Sequence, residues 1–418
     1  MTRWYIKLTF LCCLPFFLTA QKSQKKDDKF GFFLLGNSKF TRIPFQMHAN
    51  LIIVPVHVND SDTLHFILDT GVSSVIITNP DAIKNQKLNF TRRVQLTGAG
   101  EGHSLTASVA IGNTIGMGKM KATFQNIVVL EEDVLKLSEY VGIPIDGIFG
   151  YEVFNNFVVS IDFINRELLL TRPENYKYRS RQGDRYPIII EDTKPYADVI
   201  ALVEGGHEMP IRVVIDTGAG HALLIDKSYD NQIQLPEKVI RAQLGRGLNG
   251  VINGNLGRIN KVRFGKYELE NVLASFPDSL GFGVKFASRN ERQGNIGCEL
   301  LRRFRVTFNY TDRYIVLKPI KRRLKETFEH DMSGLELRAK GKDLKEYVVD
   351  RIIEGSPAWD AGLEEGDEVL FINNKSSDDW IISEIYKLLQ KGEGKEITLL
   401  VRRNGVIHFT KFQLKRMI

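Results

Sequence analysis

The chain has 418 residues, of which 43% are hydrophobic and 26% charged, with 35 glycines and a formal net charge of +7. That length calls for two or three cores, and the glycine content for a folded, turn-rich protein of short strands. The basic balance bears on solubility and association first. Lys321-Arg322-Arg323 and the group Lys22, Lys25 and Lys26 sit in no zinc-finger, helix-turn-helix or aromatic-platform context, so nucleic acid is excluded as an expected partner.

At the start of the chain, Arg3 and Lys7 precede an apolar run over residues 8–18, and Thr19-Ala20 precede polar Gln21. This is the pattern of a signal peptide cleaved after residue 20, and it implies export to the periplasm, the cell surface or the medium. The run is short and holds Pro15, so no stable membrane span is expected. Cys12 and Cys13 leave with it, and Leu11 before Cys12 argues against a lipoprotein site. Cys298 alone remains, reads as a small buried residue, and leaves packing to hold the fold. Residues 21–39 read as a leader or short prosegment.

Short apolar runs at 51–58 and 64–68 lead into Asp69-Thr70-Gly71, and further runs follow at 75–78 and 127–130. Their alternation between Gly, Asn and Asp turns predicts strands, with little helix. An offset of 147 residues then carries Asp69-Thr70-Gly71 onto Asp216-Thr217-Gly218 and Gly98-Ala99-Gly100 onto Gly245-Arg246-Gly247. It also carries Gly147, Gly150 and Glu152 onto Gly294, Gly297 and Glu299, and Phe157 onto Phe304. An internal repeat in one register means two homologous lobes, 40–175 and 186–320, joined by the polar stretch 174–185.

One Asp-Thr-Gly is a turn after a strand. Two, each following an apolar strand at equivalent places, can meet at a pseudo-twofold axis. Two carboxylates about 3 Å apart cannot both ionise and so share a proton, one serving as general base toward water and the other as general acid toward a carbonyl. Such chemistry needs neither metal nor other cofactor. The second-place threonines can bond across the axis, and the third-place glycines admit backbone N–H groups to the carboxylates. His57, His65, His103, His207 and His221 lack the clustered spacing of a zinc site and read as ordinary residues.

On these residues, and on Ile148-Phe149-Gly150 with its counterpart Asn295-Ile296-Gly297, residues 40 to 320 resemble the retropepsin-like aspartyl proteases in the bilobal form found in bacteria. The resemblance implies a mainly β fold with two pepsin/retropepsin-like β-barrel lobes. It implies Asp69 and Asp216 as the catalytic pair, supported by Thr70, Gly71, Thr217 and Gly218, and a peptide or protein as substrate. It also implies β-hairpin flaps at Gly98, Gly100 and Gly102 and at Gly245 and Gly247. Asn295 departs from the apolar pattern, which bears on packing of the second lobe. Val72 and Ala219 lack the hydroxyl that pepsin-like enzymes place after the glycine.

The run 245–250 also fits G-x-G-x-x-G, but the context that a dinucleotide site requires is absent, since 251–262 reads as hairpin and the repeat pairs the run with 98–102. Residues 330–418 differ in texture. Gly334-Leu335-Glu336-Leu337, Gly355-Ser356-Pro357-Ala358, Ala361-Gly362-Leu363 and Gly366-Asp367 resemble a circularly permuted bacterial PDZ domain, a small α+β unit with a helix expected over 378–390. The resemblance implies strand addition of a peptide beside that helix, with its terminal carboxylate held at Gly334, Leu335, Glu336 and Leu337; a purely structural cap is the alternative. The expected protein is a monomeric, exported aspartic endopeptidase. The other reading is a non-catalytic peptide-binding envelope scaffold, separated from the first by whether the two carboxylates lie within hydrogen-bonding reach.

Overall fold

The computed structural model describes residues 30–100, 102–202, 207–226, 234–278 and 292–418. The expected signal peptide and the lysine-bearing stretch 21–29 lie outside the described residues. The fold is mainly β, with two homologous β lobes followed by a small α+β domain. Among the described residues no helix is long and apolar enough to cross a membrane.

Each lobe hangs its aspartate on the middle of a sheet. In the first, Leu64–Asp69 runs antiparallel to Leu51–Val58 and parallel to Gly147–Gly150, with Gly150 opposite Asp69. In the second, Glu208–Ile215 runs antiparallel to Lys194–Leu202 and parallel to Gly294–Ile296, with Ile215 opposite Ile296. Phe66, Leu68, Val213 and Ile215 are fully buried, which fixes the strand register and leaves the chain end carrying each aspartate no freedom to slip. Gly150 can be nothing larger, because a Cβ there would stand 1.7 Å from the Asp69 carbonyl oxygen.

A six-stranded sheet belongs to both lobes at once. Its order is Asp184–Pro187, Tyr314–Pro319, Phe304–Asn309, Val158–Asp162, Glu167–Thr171 and Phe40–Pro44. At its middle Ser160 pairs with Thr307, which are equivalent under the 147-residue offset, so the pseudo-twofold axis passes between them. One apolar core runs through both lobes, and the C-terminal domain has its own, built around Tyr347, Val349, Ile385 and Ile397.

Two boundaries move. Gly31–Leu34, expected in a leader, is a strand paired with Met120–Leu130, and its Leu34 is fully buried. Asp184 and Arg185, expected in the connection, begin the outermost strand of the shared sheet. In both cases an edge strand is recruited by long-range pairing that local composition does not announce.

The C-terminal sheet runs Leu335–Lys340, Glu346–Ile352, Glu368–Ile372, Glu396–Arg403 and Val406–Gln413. The helix expected over 378–390 is a short 3-10 turn, Ser377–Asp379, then an α-helix, Ile382–Leu389. Trp380 interrupts it because its carbonyl is drawn outward by the Lys345 ammonium at 2.6 Å and the Tyr347 hydroxyl at 2.8 Å. This domain packs on the first lobe through the helix Leu137–Val141. Arg338 pairs with Glu139 at 3.6 Å, the Tyr140 hydroxyl donates to Asp350 at 3.4 Å, and Gly142 abuts Ile382.

Candidate active site

The two Asp-Thr-Gly loops meet back to back on the axis. Thr70 Oγ1 accepts from the Thr217 N–H at 3.0 Å and donates to the Ile215 carbonyl at 2.6 Å. Thr217 Oγ1 accepts from the Thr70 N–H at 3.0 Å and donates to the Leu68 carbonyl at 2.8 Å. Both threonines have no exposed surface. Each lobe therefore satisfies backbone groups of the other, and four buried bonds set the separation of the strands that end in the aspartates.

Gly71 N–H donates to Asp69 Oδ1 at 2.6 Å, and Gly218 N–H donates to Asp216 Oδ1 at 3.0 Å. The two carboxyl groups converge on one small space, since a Cβ at Gly71 would lie 3.0 Å from Asp69 Oδ1 and 3.5 Å from Asp216 Oδ1. The glycine at 218 is what permits this, since a Cβ there would lie 2.2 Å from Asp69 Cγ. Burial first, and then the neighbouring Asp216 charge, push the Asp69 carboxyl up to about 8. Such a group keeps its proton at neutral pH and can donate it. Nearby, Lys194 is held below the usual lysine range by burial and by Arg292, while burial and the aspartates push the Cys298 thiol and the Tyr310 hydroxyl up.

Behind each aspartate the parallel strand closes the loop: Tyr151 N–H donates to the Val72 carbonyl at 3.3 Å and Cys298 N–H to the Ala219 carbonyl at 2.7 Å. Asn295 does not disturb this packing. It is 5% exposed, donates from Nδ2 to Asp216 Oδ2 at 2.9 Å, and receives His221 Nε2 at 2.6 Å on its Oδ1. His221, expected to be an ordinary residue, therefore stands next to the pair. The signal for Asn295 was present as a polar residue in an apolar slot; nothing local marks His221.

The glycine-rich segments are hairpin tips. Asn89–Leu96 pairs with Leu105–Met117, and Val239–Gly247 pairs with Gly250–Phe264. The tips touch: Gly98 N–H donates to Asn249 Oδ1 at 2.9 Å, Asn249 N–H to the Ala99 carbonyl at 2.9 Å, and Gly102 N–H to the Asn249 carbonyl at 2.5 Å. A Cβ at Gly247 would lie 2.2 Å from the Ala99 carbonyl oxygen, and one at Gly100 would lie 2.6 Å from the Asn249 carbonyl carbon. Gly245 serves differently, with φ +155° beside the bulge in its strand and open space around it. Leu248 at the second tip packs in the same apolar cluster as Val72, the residue after Gly71.

The aspartyl protease family model matches residues 54–153 and again 199–300, and a PDZ domain model matches 348–403. Both lobes thus match the aspartyl protease family, and the C-terminal domain matches the PDZ family. No curated protein matches the chain.

In the PDZ domain the strip expected to hold a peptide terminus is already engaged. Asp331 Oδ1 accepts from the Gly334 N–H at 2.7 Å and from the Ser333 N–H at 2.9 Å, while Leu335 N–H donates to Ser333 Oγ at 3.1 Å. Glu336 Oε1 accepts from Gln243 N–H of the second protease hairpin at 3.3 Å. The Tyr386 hydroxyl accepts from the Leu337 N–H at 2.9 Å and donates to the Leu337 carbonyl at 3.1 Å. In this conformation a buried carboxylate and a phenol hold the Gly334 and Leu337 N–H groups that an added strand would use. Burial pushes Asp331 up to about 6 despite these donors.

Proposed function

We propose that the chain is an exported aspartic endopeptidase whose single active centre combines Asp69 and Asp216. The observation that carries this reading is the convergence of the two carboxyl groups on the space between Gly71 and Gly218, with Asp69 raised by burial and by its neighbour. One carboxylate takes a proton from water as the water oxygen attacks the peptide carbonyl carbon. The other carboxyl gives its proton to the carbonyl oxygen, forming a neutral tetrahedral diol. When the diol collapses, the base passes its new proton to the departing nitrogen and the acid recovers one from a diol hydroxyl. The glycine N–H groups and the threonine cross-bonds hold the pair in register through both steps.

The meeting hairpin tips support a peptide cleft closed from both lobes, and the PDZ domain is read as a module for protein or peptide termini. Incubating the purified chain lacking residues 1–20 with a peptide library, with and without the transition-state analogue pepstatin, tests the proposal. Cleavage suppressed by the analogue is expected. A folded chain that binds library peptides without cleaving any would move the reading to a peptide-binding scaffold.

A further inference from the structure

The two lobes repeat each other closely around the aspartates, yet one polar chain occurs on only one side. Under the 147-residue offset Asn295 corresponds to Ile148 and His221 to Ser74. Asp216 therefore receives a side-chain amide donor at 2.9 Å, and that amide is in turn fixed by an imidazole at 2.6 Å. Among the described residues, the side-chain amide bond to Asp216 has no counterpart at Asp69, whose Oδ1 accepts from the Gly71 N–H at 2.6 Å. We propose that Asn295 and His221 are positioning residues that break the symmetry of the pair, keeping Asp216 as the base toward water and leaving the shared proton on Asp69.

The chemistry of the amide dictates the direction. A carboxamide N–H donates only to an oxygen with a free lone pair, and its bond to a charged oxygen is stronger than one to a neutral carboxylic acid. His221 Nε2 opposite Asn295 Oδ1 must carry a hydrogen, and this orients the amide with its nitrogen toward Asp216. Burial, with Arg292, holds the imidazole below the usual histidine range, so this tautomer persists as a neutral ring. The ionisable groups facing the arrangement are Asp69, Lys194, Arg292, Cys298 and Tyr310. Lys194 and Arg292 are set by their positions in lobe 2 and act on both aspartates or on His221. Asn295 discriminates between the two carboxyl groups by direct contact with Asp216.

The inference rests on the endopeptidase reading for its kinetic form, but the proton placement can be measured without turnover. Asn295→Ile copies the residue that lobe 1 uses at this place, so packing is expected to survive. Loss of the donor to the ionised pair makes the second proton bind more readily. The acid limb of the kcat/KM profile therefore moves to higher pH by about one unit, a tenfold loss below the limb, with KM little changed. His221→Leu moves the limb the same way. His221→Gln, whose amide nitrogen can take the place of Nε2, restores it. Folded Asn295→Ile protein with the original pH profile would overturn the proposal. If the parent chain cleaves no peptide, the endopeptidase reading fails by itself. Carbon-13 titration of the aspartate carboxyls, assigned with Asp69→Asn and Asp216→Asn, still decides the inference: an acid step shifted by Asn295→Ile sustains it, and an unshifted step overturns it.

Discussion

The hydroxyls of Ser160 and Thr307 stand 2.8 Å apart where the pseudo-twofold axis crosses the sheet shared by the lobes. The same axis passes between Thr70 and Thr217, which exchange equal 3.0 Å bonds. The lobes are thus joined twice along one line, once in the sheet and once beneath the carboxyl groups. Rotation of one lobe about another axis would have to break one of the two joints.

Replacing either aspartate by asparagine removes a partner from the proton-sharing pair while keeping its shape. Asp69→Asn and Asp216→Asn should each lower peptide hydrolysis by roughly 100- to 10,000-fold through lost general catalysis. The double variant should be little worse than either single one, because residues acting as a unit are not additive. Steady-state kinetics with circular dichroism on all three proteins checks this. Full activity in either single variant would exclude the shared-pair mechanism.

Asp69 also links stability to pH. Its folded value of about 8 lies above the ordinary 3.8, so the folded chain holds a proton that the unfolded chain releases between those values. The stabilising contribution is complete below pH 3.8 and is lost as the pH rises through about 8. Asp69→Asn, neutral throughout, should therefore melt above the parent protein, with the gap widening across that window. Activity should fall on the alkaline side as the acid proton departs. Parallel melting curves at every pH would contradict a protonated Asp69.

Thr70→Val deletes one hydroxyl but strands two groups, the Thr217 N–H and the Ile215 carbonyl. A cost of about 1–3 kcal/mol for each buried orphan is expected. Urea unfolding measures it, and activity should fall with it because the spacing of the carboxyls is loosened. A neutral substitution would mean that the cross-axis bonds contribute nothing.

Gly218→Ala should be inactive, since its Cβ would lie 2.2 Å from Asp69 Cγ and drive the two carboxyls apart. Gly116→Ala is the matched control, because its Cβ meets nothing nearer than His57 Cβ at 3.9 Å. Equal activity of the two variants would show that close approach at residue 218 is unnecessary.

Tyr386→Ala should release the Leu337 N–H and carbonyl and tighten binding of carboxylate-ended peptides to the full chain. Recovering one strand-type hydrogen bond would amount to about tenfold in affinity. Fluorescence titration with labelled peptides reads the change. Unchanged affinity would show that the phenol does not compete with peptide.

The repeat was the legible part of this chain. Asp69, Thr70, Gly71 and their counterparts occupy identical local contexts, and the strands around them are short runs whose ends residue chemistry marks. The polar chain to Asp216 was harder to see, because His221 and Asn295 are 74 residues apart and meet only through sheet pairing. The internal bonds at Gly334 to Leu337 were hidden for a related reason. A glycine-led loop announces available N–H groups, but nothing local says that Asp331 and Tyr386 will claim them. Gly31–Leu34 was hidden likewise, as an edge strand defined by the neighbour it finds.

Arg246, one residue past the bulge in the second hairpin, stacks on the Tyr140 ring 4.2 Å from its centre, and the hydroxyl of that tyrosine touches Asp350 of the PDZ domain. With Gln243 bonded to Glu336 and Asn253 to Arg351 at 3.5 Å, both strands of the hairpin are fastened to the PDZ sheet. A substrate entering between the tips would pull on the same strand that a PDZ ligand would release by displacing Glu336. If a terminal peptide and a substrate each loosened this hairpin, whatever factor the one added to the affinity of the other would have to be returned in equal measure.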